Sequence, residues 1–309
     1  MASRGLVARG GGLSRGILGT SSRAASSLGG GKWRSFGRLG GRSVEVFLLT
    51  AAALIVISPV VWMIATSLRT PAESFNEPPQ WVPLHPMFSN YSAVFSNVPF
   101  GDFIINSVIV TGLIVTGQLI TSSLAGYAFA RLRFRGANII FWMILATMMV
   151  PIQATIIPVF ILIKYMHLAD SLTALILPAV VSAFGTFLMR QAFMQMPRDF
   201  GEAAIVDGAS QWKVFTRIYL PMAWPALATL AVLGFAGYWN EFFRPLIFLN
   251  SQHNYTIPLG LVNLEGFMGT GSVSVVLAAV TMALIPNLIV FALAQKYFVR
   301  GISFGGIKG

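Results

Sequence analysis

The stretch FGEAAIVDGASQWKVFTRIYLP, residues 200–221, sets Glu202, Asp207, Lys213 and Arg217 between two long apolar runs of a chain that otherwise avoids charge. Ile205, Ala209, Trp212, Phe215 and Tyr219 recur in it at helical intervals, while Asp207, Ser210, Gln211, Lys213 and Arg217 fall mostly on other faces. That is the pattern of an amphipathic helix, interrupted at Gly208. A glycine inside a helix costs about 1 kcal/mol against alanine, so the expected use of Gly208 is a bend between two short helices. Interfacial helices on anionic lipid favour Lys and Arg along the polar face. Here acids and bases are mixed, which suits a protein partner better.

The surrounding composition fixes the setting. Of 309 residues 55% are hydrophobic and 10% charged, with mean hydropathy +0.73, beyond the range of ordinary water-soluble domains. The chain reads as an all-α integral membrane protein with six transmembrane helices. Apolar runs able to cross a bilayer lie near 46–67, 103–129, 139–163, 172–187, 223–248 and 273–298. With a cytoplasmic N-terminus, every Lys and Arg except Arg69, Lys164 and Arg244 falls in an inner segment. The positive-inside bias then supports six spans with both termini cytoplasmic, and puts residues 200–221 inside, between the fourth and fifth spans. The net charge of +11 is thereby a topological signal and not a nucleic-acid footprint. With no cysteine, neither a disulfide framework nor a thiolate metal site exists.

Residues 1–43 are rich in Arg, Gly and Ser and hold no acid before Glu45. Such a segment cannot bury a core. It is expected to be a disordered basic cytoplasmic tail resting on anionic lipid, ahead of a six-span domain over 44–309. A mitochondrial transit peptide, which the repeated GGG disfavours, and a start codon assigned too early are the other readings. The outer loop 69–102 is dense in turn formers and expected to be ordered but weakly helical, with Trp81 and Tyr91 at headgroup level. Pro151 and Pro158 are expected to kink the third span.

Glu202, Ala203 and Ala204, then Gly208 after three residues, then Ile218, Leu220 and Pro221 after nine more, resemble the EAA loop of permease subunits of ABC importers. LAGYAFARLRF at 124–134, FGTFLMRQAF at 184–193, YWNEFFRPLIFL at 238–249 and the terminal GGIKG are similar to the carbohydrate (MalG-like) branch, which includes glycerol-phosphate permeases. The similarity runs from about residue 45 to the end; the basic tail departs from the usual short N-terminus. The resemblance implies a bacterial or archaeal plasma-membrane protein forming half of a translocation pathway for a sugar or related polyol or glycerol-phosphate compound. Its implied partners are a second homologous permease subunit, two ATPase subunits and an extracytoplasmic solute-binding protein. The EAA segment, with Glu202, Asp207 and Gly208, would be the coupling helix seated on an ATPase, and Gly306 and Lys308 a cytoplasmic C-terminal contact. ATP and Mg would sit on the ATPases, with no cofactor on this chain. The chain has no GxxxxGK[ST] phosphate loop, since GGGKW at 29–33 lacks the spacing and the hydroxyl residue.

Glu241 and Arg244 stand three residues apart within the fifth span, and so on one helix face, beside Asn240. Charges there are costly and usually functional; the expected role is a helix lock or gate near the outer interface, ahead of direct substrate contact. His85, His167 and His253 lie in separate outer segments and read as solvated loop residues. The outer loop 250–271, with Phe267 and Met268, is expected to be a flexible finger toward the binding protein. Two other classes compete. An ion-driven secondary transporter would want acids or paired broken helices deep in the spans, where Glu241 is the one candidate, and a membrane-embedded transferase would want a cluster of His, Asp or Glu at one interface, which the sequence lacks. Aromatic residues and few intramembrane charges suit a neutral sugar or polyol.

Overall fold

The computed structural model describes residues 31–70, 72–75, 81–83, 85–266 and 272–303, with side chains left aside over 31–43, 74–75 and 296–303. The described residues hold helices and no strands. The chain divides into two compact units at Pro59 and Val60.

The first unit carries most of helix α1, Gly31–Ser67. Residues 31–43, expected in the tail, are helical here; residues 1–30 lie outside the described residues. Proline has no N–H for the carbonyl four residues back, and Pro59 stands inside α1. The Ser58 hydroxyl donates to that carbonyl, on Ile55, at 2.8 Å. Leu48, Ile55 and Val56 are exposed, as expected of a lipid-facing helix.

In the second unit the end of α1 is capped from a distance. Asn90 donates through Nδ2 to the carbonyls of Ser67 (2.9 Å) and Arg69 (2.8 Å), which otherwise lack partners at a helix C-terminus. Asn90 and Tyr91 belong to α2, Ser89–Asn97, so the outer loop is more helical than its turn formers suggest.

Helix α3, Phe100–Arg131, is the central post; α7, Ala183–Gln195, and α11, Trp224–Trp239, pack on it. Small residues permit the approach. A Cβ at Gly126 would lie 2.6 Å from Met189 Cβ, and one at Gly185 would lie 2.3 Å from Ser122 Oγ.

Among the described residues four helices are long and apolar enough to cross a membrane, at Val44–Ser67, Phe100–Arg131, Leu172–Gln195 and Val273–Gln295; two bent pairs raise the number to six if each is one span. The expected third span is broken by 103° between α4 (Ala137–Ala146, extended by a 3-10 turn to Met149) and α5, Ile152–Tyr165. Proline pushes the preceding residue out of the helical region, and Val150, before Pro151, is extended at φ −87°, ψ 116°. Pro158 stays within α5. The expected fifth span also differs. It bends by 72° at its start, and α11 stops at Trp239, before a short α12, Phe243–Phe248. The expected fourth span begins as α6, Leu172–Ile176, and continues through a 3-10 turn before α7. The expected finger contains α13, Ile257–Glu265, with Ile257, Leu259 and Leu264 buried; Phe267 and Met268 lie outside the described residues. The long α14, Val273–Ser303, ends the described chain.

Candidate functional site

Residues 200–221 fold as an elbow. Helix α8, Asp199–Val206, ends at a glycine with φ +83°, Gly208. Gly208 N–H donates to the Ile205 carbonyl (3.0 Å) and Ala209 N–H to the Ala204 carbonyl (2.9 Å), the pair of bonds that closes a helix through a left-handed residue. Ser210 then caps α9, Gln211–Val214, accepting from Lys213 N–H at 3.4 Å. A π turn over Phe215–Tyr219 follows, in which Leu220 N–H reaches back to the Phe215 carbonyl. Pro221 brings no N–H to this turn. The three-residue α10, Leu220–Met222, leads into α11.

The apolar residues of the elbow part company. Phe215 and Tyr219 are buried, whereas Ile205, Val206 and Trp212 are 46%, 87% and 62% exposed, so the expected single amphipathic face is two faces, one inward and one bare. Glu202, Ala203, Asp207, Gly208 and Pro221 are also exposed, and Ala204, Ile218 and Leu220 half-buried. A Cβ at Gly208 would meet nothing within 4 Å. Among the described residues Glu202 makes no ion pair, although it lines a cleft of about 300 Å3 with Arg131, Arg133 and Arg198.

An aromatic cluster joins the elbow to the post. Tyr127 of α3 lies 4.9 Å from the Phe215 ring, 5.7 Å from Tyr219 and 5.8 Å from Phe193 of α7. Arg131, the last residue of α3, stacks 4.4 Å from the Tyr219 ring centre and donates to the carbonyls of Phe193 and Met196. Gly201 is where α8 touches the π turn; a Cβ there would lie 2.7 Å from Tyr219 Oη. Tyr127, Phe193 and Arg131 stand within the quoted motifs, yet no local spacing announces that they meet.

A second constellation lies in the bundle. The break between α11 and α12 is bridged by Glu241, whose two carboxylate oxygens accept from Arg244 Nε and Nη2, each at 2.5 Å. Arg244 is buried, its Nη1 lies 3.5 Å from the Leu175 carbonyl, and its guanidinium is 5.1 Å from the Tyr238 ring centre. The pair therefore spans a break and does not share one helix face as expected. Asn240 donates to the Ala236 carbonyl (2.7 Å) and accepts from Asn287 of α14 (3.2 Å). Gln118 of α3 donates to Tyr238 Oη (2.6 Å) and the Ala179 carbonyl (2.7 Å). Gln118, Ser182, Tyr238, Glu241 and Arg244 line a cavity of about 380 Å3. Gln118 and Tyr238 escaped the sequence reading because a lone Gln or Tyr in an apolar run carries no spacing signal.

Asp170 escaped it too. Held at φ +57°, it accepts the amides of Asn250 and Ser251, both at 2.9 Å, and the Ser251 hydroxyl; its carbonyl accepts from Asn254 Nδ2 at 2.6 Å. The Ser251 hydroxyl, followed by the Ser251 amide, holds this carboxyl well below the usual carboxylate range. The loops after α5 and α12 are thus clasped together.

His85, His167 and His253 are exposed and separate, and among the described residues no group of three or more His, Cys, Asp or Glu is arranged to hold a metal. Gly306 and Lys308 lie outside the described residues.

Residues 118–304 match the family described as binding-protein-dependent transport system inner membrane component. The chain is 35% identical over 223 residues to the arabinooligosaccharides transport system permease protein AraQ of Bacillus subtilis (strain 168), covering 72% of this chain and 79% of the relative. It is 32% identical over 272 residues to the sn-glycerol-3-phosphate transport system permease protein UgpE of Yersinia pestis bv. Antiqua (strain Antiqua), covering 84% and 96%. A solved bacterial ABC transporter involved in import of the acidic polysaccharide alginate superposes with TM-score 0.73 at 27% identity, over 88% of this chain and all of that one.

Proposed function

The chain belongs to the family of binding-protein-dependent transport system inner membrane components and is a permease subunit of an ABC importer; on that premise we propose that residues 200–221 are the element through which separate cytoplasmic ATPases drive it. The observation that carries this reading is the bare face of the elbow. Ile205, Val206 and Trp212 are exposed beside Glu202 and Asp207, while Phe215 and Tyr219 root the segment in α3 and α7. An apolar patch with a charged rim is the composition of a docking surface, and Glu202 is available to a basic residue of the ATPase. Gly208 sets the angle of the elbow, and Pro221 separates it from α11.

In this reading α4 and α5 form one bent span and α11 another, with α9 and α10 left on the cytoplasmic side of the 72° bend, so six spans cross the membrane, both termini are cytoplasmic, and the segment after residue 304, with Gly306 and Lys308, adds a cytoplasmic contact. A second, related permease completes the pathway and an extracytoplasmic solute-binding protein delivers the solute; ATP and Mg belong to the ATPases. The cargo is a sugar or a related polyol or glycerol-phosphate compound. Relatives named for arabinooligosaccharides and sn-glycerol-3-phosphate support that class. So does the cavity beside Gln118 and Tyr238, which presents hydroxyl and amide groups and an ion pair neutralised within itself. Glu241 and Arg244 act as a lock across the helix break, with Asn240 tying it to α14.

The test is uptake of labelled oligosaccharides and glycerol phosphates into proteoliposomes holding the complete assembly. Uptake that needs internal ATP and the binding protein is expected. Uptake sustained by an ion gradient without ATP would overturn the reading.

A further inference from the structure

The turn between α3 and α4 and the end of α7 enclose a recess of about 550 Å3 that the importer reading leaves unused. Arg131, Arg133, Arg190 and Arg198 line it, and no carboxylate does. Glu202 faces Arg131, Arg133 and Arg198 only from the neighbouring cleft and pairs with none of them, so the four cations of the recess repel one another, a cost that an anionic occupant lowers. The arginines are partly committed already. Arg190 stacks 4.1 Å from the Phe141 ring centre, and the Nε atoms of Arg131 and Arg190 are buried with no hydrogen-bond partner. Arg133 and Arg198 are exposed.

The opposite wall has another chemistry. Phe134, Ile139 and Met194 line the same recess and are 42%, 67% and 51% exposed. Helix α4 starts here from Gly136, at φ +79°, with no side chain capping its first turn, so its amide end adds partial positive charge. A cationic recess edged by bare apolar side chains, at the mouth of an apolar helix, matches a molecule with an anionic head and a hydrocarbon body.

We propose that this recess binds the phosphate headgroup of an anionic phospholipid, with its acyl chains along Phe134 and Ile139. Basic pockets between membrane helices hold such headgroups, and guanidinium groups suit phosphate geometry. The proposal depends on the importer reading only for which leaflet supplies the lipid. Arg131, Arg133 and Arg198 also border the cleft at Glu202, so the bound lipid lies against the base of the elbow.

The test is native mass spectrometry of the purified full-length chain in detergent, titrated with phosphatidylglycerol, with phosphatidylcholine of the same acyl chains, and with glycerol 3-phosphate. Phosphatidylglycerol is expected to be retained on the order of tenfold better than phosphatidylcholine. Arg133→Gln, on an exposed turn, should lower that retention about fivefold, the effect of one basic residue near a membrane surface, and Arg133→Lys should restore most of it. Equal retention of the two lipids, or no loss in Arg133→Gln, would overturn the site. Displacement by glycerol 3-phosphate at comparable concentration would also overturn it, since the recess would then hold a soluble phosphate. Should the variant fail to purify, the headgroup comparison on the unaltered chain decides alone. None of these readouts involves ATP or transport, so failure here and failure of the importer reading are separable.

Discussion

Truncating Glu241 to alanine leaves the Arg244 guanidinium inside the bundle without its counter-charge. Arg244 is 7% exposed and gives Nε and Nη2 to Glu241; what remains is a 3.5 Å contact with the Leu175 carbonyl and the Tyr238 ring. Removing one member of a buried pair costs about 3–5 kcal/mol, whereas replacing both by apolar groups of similar volume is often neutral. Each kcal/mol moves the midpoint by about 2–4 °C for a unit of this size, so Glu241→Ala should lower the apparent melting temperature by about 6–20 °C. The double variant Glu241→Leu with Arg244→Met should recover most of that loss. The assay is the fraction of detergent-solubilised protein that stays monodisperse after heating, read by size-exclusion chromatography. A Glu241→Ala protein within about 2 °C of the unaltered chain, or a double variant as unstable as the single one, would refute the lock. A stable double variant that no longer transports would assign the pair to the gate.

Gly208→Asp has open space for its side chain but a φ of +83° that strains any L residue, at a cost of about 1–2 kcal/mol, so the spans should still insert and melting should fall only modestly. Transport and substrate-stimulated hydrolysis should be lost, with Glu202→Ala milder; near-normal uptake by Gly208→Asp in the reconstituted importer would exclude the elbow as the coupling element. Gly201→Val behaves oppositely, because its Cβ would fall 2.7 Å from Tyr219 Oη; detergent stability should drop by about 1–3 kcal/mol, as overpacking does, and an unchanged melting curve would deny the α8 contact. The Asp170 carboxyl is depressed in the folded chain, so its contribution is present above the ordinary carboxylate pKa and fades only as pH falls through the lowered value. Hydrogen exchange at the Asn250 and Ser251 amides should accordingly stay slow from pH 7 to pH 5 and rise about tenfold in Asp170→Ala, whereas equal exchange in variant and parent would dissolve the clasp.

The residues whose meaning is local were legible beforehand. Gly208 as a bend follows from one glycine inside an amphipathic pattern, and the disturbance at Pro151 from the effect of proline on its predecessor, although a 103° break exceeds a kink. The stop after Trp239 was not read, because apolar residues resume at Phe242 and Phe243 beyond Asn240 and Glu241, and the spacing of Glu241 and Arg244 reads identically on a continuous helix. Tyr127, Arg131, Phe193 and Tyr219 converge from three separate stretches, and Asp170 finds its partners some eighty residues away. Such meetings are properties of packing and leave no trace in spacing. The helix α13 was hidden by the glycines and turn formers around it.

The approach of α3 to α7 also dictates how this gene can drift. Every amino acid other than glycine carries a Cβ, so no missense change at codon 126 avoids placing an atom 2.8 Å from the Arg190 main-chain nitrogen, and none at codon 185 avoids Ser122. Gly101, Gly112 and Gly237 have nothing within 4 Å of that position and are free to vary on steric grounds. A saturation library selected for growth on the transported solute should therefore sort these glycines into a tolerant and an intolerant class, with codons 126 and 185 in the second although neither touches cargo or partner.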